Sequence, residues 1–176
     1  MTYCDTAMKY KGIVIGIDCG LRHTGLYAIV NGKATWRNTI SVEGDKDDTG
    51  PRFTVLRIAL EKLLAPMKIR PEIVAIEQPE LGIRKGHAPG AILKLYAAFA
   101  ITYAEVSRIW PHADIHGVEP RAWKGNLKKS LTSQWMASKY GIKRFPNSHE
   151  ADALGLADWA WDLWILQKRS DLTQRN

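Results

Sequence analysis

An α/β domain, a mixed β-sheet flanked by helices, is what this sequence predicts, on three observations. Short runs rich in β-branched residues come early and in close succession, and later ones alternate with amphipathic helical stretches. The 176 residues suffice for one sizeable core and are short for two. Apolar content of 45% and charged content of 24% are globular averages, which excludes a disordered or fibrous chain.

The run Ile13-Val14-Ile15-Gly16-Ile17 reads as a buried strand that ends in a turn at Asp18-Cys19-Gly20. Residues 25–30 and 33–42 flank Asn31-Gly32, the pair favoured in a two-residue hairpin turn, so the first three strands form an antiparallel meander. Asp48 or Thr49 caps a helix starting near Pro51, with Phe53, Leu56, Leu60, Leu63 and Leu64 on one face and Pro66 at its close. Pro71 leads into Ile73-Val74-Ala75-Ile76-Glu77, an apolar strand that ends on a carboxylate before Gln78-Pro79. Helices are expected over residues 91–109 and 130–140, the second stopped by Gly141, with a short strand at 115–118 between them. The final helix is expected from about 149 to 167, and Ser148, Glu150 and Asp152 suit its N-terminus. Strands reached through helical crossovers are expected to run parallel to the first. With no repeat or linker, residues 1–11 are expected as an N-terminal extension, 12–168 as one domain and 169–176 as a tail.

The chain carries a net charge of +7 and a pI near 9.5, which favours a polyanionic partner, nucleic acid ahead of an anionic membrane. Between Leu81 and Asn147 stand eleven basic and three acidic residues, so the whole excess lies in that stretch and points to a basic face. No signal-peptide core and no apolar run of roughly 18 residues occurs, so a cytoplasmic protein with no membrane association is expected. Cys4 and Cys19 have neither metal-ligand nor redox spacing.

Three carboxylates sit at element ends: Asp18 after the first strand, Glu77 after the fourth, and Asp152 in the first turn of the last helix. His149 lies three residues before Asp152, and positions i and i+3 share a helix face, whereas Glu150 points elsewhere. Clustered carboxylates are unfavourable without a cation, and Mg²⁺ or Mn²⁺ accept such oxygen ligands. Two such ions can activate a water and stabilise the leaving oxygen of a phosphodiester. Each residue also has a plainer role: an Asx turn for Asp18, an ion pair for Glu77, dipole-complementing acids for Glu150 and Asp152, a surface histidine for His149.

Taken together, the sequence resembles the RuvC-type Holliday junction resolvases, a branch of the ribonuclease H-like superfamily. The resemblance rests on Ile15-Gly16-Ile17-Asp18-Cys19-Gly20 with Thr24-Gly25, Val74-Ala75-Ile76-Glu77-Gln78, and His149-Glu150-Ala151-Asp152-Ala153-Leu154, with a weaker match at Pro120-Arg121-Ala122-Trp123-Lys124-Gly125. It implies a five-stranded mixed sheet with the first and fourth strands adjacent, bringing Asp18 beside Glu77 under the last helix. It implies that Asp18, Glu77 and Asp152 hold metal ions, about two Mg²⁺ or Mn²⁺ per site, with His149 a ligand or a proton carrier. The implied activity is that of an endodeoxyribonuclease. Paired symmetric nicks in a four-way junction leave 5′-phosphate and 3′-hydroxyl ends, and a homodimer presents the two sites. Arg84, Lys85, Lys124, Lys128 and Lys129 are the candidates for phosphate contacts.

Two departures stand out. Cys19 occupies a position often held by proline in the family, and residues 79–90 lack the aromatic that enters the junction centre, leaving Leu81 or Ile83 as an apolar wedge. The compact segment between Lys124 and Ser130 is compatible with a phage version of the family. Trp159, Trp161 and Trp164 are expected to pack the last helix rather than to meet DNA. The rivals are an actin-like ATPase, disfavoured by the missing second phosphate loop; a non-catalytic branched-DNA binding module; and a ribonuclease H or flap nuclease of the same fold.

Overall fold

The structure, a computed structural model, describes residues 10–43, 49–80 and 89–174. Its elements are β1 (Ile13–Asp18), β2 (His23–Val30), β3 (Lys33–Ser41), α1 (Thr49–Leu64), β4 (Ile73–Glu77), α2 (Pro89–Ile109), β5 (Asp114–Val118), α3 (Pro120–Lys124), α4 (Lys129–Tyr140) and α5 (Ser148–Thr173). The sheet order is β3-β2-β1-β4-β5. β1, β2 and β3 pair antiparallel, while β4 and β5 run parallel to β1, as the crossovers demand. Asn31 and Gly32 have φ of 53° and 77°, the two positive values a tight hairpin turn needs.

Strand alternation divides the core in two. Ile15, Ile17, Leu26, Val74 and Ile76 meet Leu56, Leu60 and Leu64 of α1 and Ala98 and Val106 of α2. Val14, Tyr27, Ile29, Ile73 and Ala75 meet Ala153, Leu154, Ala157, Ala160, Trp161 and Trp164 of α5, with Met136 of α4. Trp161 and Trp164 are core residues, and Trp159 lies edge-on to His116 at 5.8 Å.

Two local features differ from the sequence expectations. Asn147, not Ser148, caps α5, its side-chain oxygen accepting the Glu150 N–H at 2.9 Å, and the helix continues through Thr173. The short helix α3 was not expected; Pro120 opens it and its last turn closes through Gly125 N–H to Arg121 O at 3.1 Å. Tyr10, within the expected extension, sets its ring edge against Trp164 at 6.0 Å. Asp48, one of the two candidate caps for α1, lies outside the described residues.

Candidate active site

The pleat places the acids. Val14, Gly16 and Asp18 lie on the α5 face of β1, and Ile73, Ala75 and Glu77 lie on the same face of β4. β1 and β4 are neighbours with Ile17 opposite Ile76, so Asp18 and Glu77 end adjacent parallel strands side by side. The first turn of α5 then comes down on them because two glycines let its backbone in. A Cβ on Gly16 would stand 2.0 Å from the Ala153 carbonyl oxygen, and one on Gly25 would stand 2.2 Å from that of His149. This close approach puts His149 Nδ1 2.7 Å from Asp18 Oδ2. Asp152, one turn along, is 2% exposed.

The electrostatics report the crowding. Burial first, then the charge of Asp18, pushes the Glu77 carboxyl up to about 7; Lys124 opposes this, Asp152 adds to it, and the Trp123 hydrogen bond opposes it. Glu77 Oε2 accepts from Trp123 Nε1 at 3.3 Å and lies 3.7 Å from Lys124 Nζ. Beneath the pair, the Cys19 thiol donates to the Glu77 carbonyl oxygen at 3.1 Å, tying the ends of β1 and β4 together. Burial, reinforced by Asp18 and Glu77, pushes that thiol well up, which leaves it an unreactive structural group.

The donor set, three carboxylates and one imidazole, is that of a hard divalent cation site. Among the described residues no three His, Cys, Asp or Glu side chains already converge tightly enough to hold an ion. Asp18 engages His149, and Glu77 engages Trp123 and Lys124. The residues fit a cation in charge and type, and the unfavourable proximity of their charges is what a cation relieves.

The remaining candidates fall into place unevenly. Lys124 points into the acidic site rather than outward, with its side chain one-fifth exposed. Lys128 is exposed at the N-cap of α4, and Lys129 is the first residue of that helix. Arg84, Lys85, Leu81 and Ile83 lie outside the described residues. Two residues given no functional place in the sequence reading shape the site. Glu150 is buried, accepting from Thr39 Oγ1 at 3.0 Å and lying 3.4 Å from Arg37 Nε, so it fastens β3 to the first turn of α5. The indole of Trp123 is the other, held beside Glu77 by α3. His23 completes the surroundings, its ring 5.6 Å from that of His149.

The arrangement of a five-stranded mixed sheet with acids at the ends of its first and fourth strands is the ribonuclease H-like fold of RuvC. The structure is similar to that of Thermus thermophilus RuvC, with a TM-score of 0.66 and 21% identity over 87% of this chain and 96% of that one. It is also similar to T. thermophilus RuvC solved in complex with Holliday junction substrate, with a TM-score of 0.69 and 21% identity over 88% of this chain and 96% of that one. The yeast mitochondrial Holliday junction resolvase Ydc2 shares the fold at a TM-score of 0.57 and 14% identity, over 93% and 84%. No family model matches the sequence, and neither does any curated protein. None of the helices among the described residues is long and apolar enough to cross a membrane.

Proposed function

We propose that this chain is a structure-specific endodeoxyribonuclease that resolves four-way DNA junctions by paired, symmetric nicks, each leaving a 5′-phosphate and a 3′-hydroxyl. The observation that carries the reading is that Asp18 and Glu77 end adjacent strands, with His149 on Asp18 and the charge of Asp152 acting on Glu77, in a basic chain with the RuvC fold. Asp18, Glu77, Asp152 and His149 would hold Mg²⁺ or Mn²⁺. Bound there, two such ions supply the positive charge that favours water attack on phosphorus and departure of the leaving oxygen.

The chain's own groups do the rest. Asp18 fixes the orientation of the His149 ring through Nδ1, which leaves Nε2 to ligate or to carry a proton. Lys124 balances part of the acidic charge at Glu77 and offers an ammonium to a backbone phosphate brought to the site. Lys128 and Lys129, with Arg84 and Lys85, supply phosphate contacts that track shape rather than sequence. Because a junction needs two cuts, the active form is a homodimer with one site per protomer.

The test is incubation of the purified protein with an end-labelled four-way junction, a matched duplex and an RNA–DNA hybrid, in Mg²⁺, Mn²⁺ or chelator, alongside Asp18→Asn. The expected result is paired nicks at the junction, lost in chelator and reduced at least about a hundredfold in the variant, with binding retained. Cutting of the hybrid alone replaces the substrate and leaves the metal chemistry standing. Junction binding without cutting under every metal condition makes the chain a binding module.

A further inference from the structure

The acidic site contains a donor that the nuclease reading does not use. Trp123 Nε1–H donates to Glu77 Oε2 at 3.3 Å, and its ring is seated where no other residue type than glycine fits beneath it. A Cβ on Gly155 of α5 would lie 2.1 Å from Trp123 Cζ3 and 2.6 Å from Cε3. The ring also packs against the α5-side core, so the direction of its N–H is set by the fold and not by a flexible side chain. Lys124, next in sequence, lies 4.7 Å from the centre of the same ring and addresses the same carboxylate oxygen.

Glu77 itself needs such a restraint. Its main chain is fixed through the Cys19 thiol and through Gln78 N–H to Val118 O at 2.9 Å, but three side-chain torsions separate that backbone from the carboxylate. A lysine at 3.7 Å supplies charge without direction, whereas a planar indole wedged over a glycine supplies direction. We infer that Trp123 is a positioning residue for Glu77, its indole N–H holding the carboxylate in one orientation for a divalent cation and Gly155 providing the seat that fixes the indole. The inference rests on the cation-dependent reading of the site and extends it to a residue that touches no ion.

Two measurements on the full chain without DNA test it. In ¹⁵N-labelled protein titrated with Mg²⁺, the Trp123 indole N–H resonance is expected to move saturably while those of Trp161 and Trp164 in the core stay in place. Trp123→Phe keeps a ring over Gly155 and removes the N–H; calorimetric Mg²⁺ affinity is expected to fall about tenfold, measured at a temperature where the variant is folded. Trp123→His, which restores an N–H donor, is expected to recover part of that loss. A Trp123 resonance that stays still during saturable Mg²⁺ binding, or a Trp123→Phe variant that binds Mg²⁺ like the parent, overturns the positioning role and leaves the nuclease reading intact. No saturable Mg²⁺ binding by the parent protein overturns both.

Discussion

On one side of the sheet, Ile15, Ile17, Leu26, Val74 and Ile76 interlock with Leu56, Leu60 and Leu64, long hydrocarbon against long hydrocarbon. On the other side, α5 answers β1 and β2 with alanines and lies at Gly16 and Gly25 almost backbone to backbone. Both layers exclude water, but only the second fixes the helix position to within the width of a missing methyl group. Asp18, Glu77, His149 and Asp152 stand on that second face, and the cation chemistry proposed for them would need side chains from two strands and a helix turn held within a few ångströms. The leucine-rich face has no such demand and can absorb change.

The contrast is broken most severely by Gly16→Val, which drives a branched side chain into the Ala153 carbonyl and the Ala157 amide. A loss of more than about 4 kcal/mol is expected in chemical denaturation, together with loss of Mg²⁺ binding. Leu60→Ala, fully buried on the opposite face, is expected to cost about 2–5 kcal/mol while Mg²⁺ binding and cleavage persist below the melting temperature. If Leu60→Ala removed cation binding at a temperature where it is folded, the two faces would not be separable.

A third measurement follows from the charge on the α5 face. Glu77 binds its proton more tightly folded, with its pKa at about 7, than unfolded near 4.5, through burial first and then Asp18. Its contribution to stability is therefore present below about 4.5 and is lost as pH rises to about 7. In chelator, the melting temperature of the parent relative to Glu77→Gln is expected to fall across that window, and adding Mg²⁺ at pH 8 is expected to restore it selectively in the parent. The smallest effect belongs to Lys128→Ala, exposed and away from either core: the slope of junction affinity against log salt is expected to fall by about 1, with the stability unchanged.

What the residues announced and what they concealed divides along similar lines. The Asn31-Gly32 turn, the acids ending β1 and β4, and the His149-to-Asp152 spacing are local patterns, legible because turn chemistry and periodicity act over a few residues. Trp123 was opaque because its role depends on Gly155, thirty-two positions later, and on Glu77, forty-six earlier. Glu150 reads as a solvated first-turn acid until β3 brings Thr39 and Arg37 against it. Lys124 belongs to a basic stretch and reads as surface charge; only α3, a five-residue helix that declares itself by little more than Pro120, turns it inward.

The separation between Asp18 and His149, 131 residues along the chain, sets an order of events during synthesis. The β1–β3 meander is synthesised first, and the acids at the ends of β1 and β4 have no helix above them until α5 has been made. A nascent or truncated chain that lacks α5 therefore carries Asp18 without the His149 contact, and the site is unassembled.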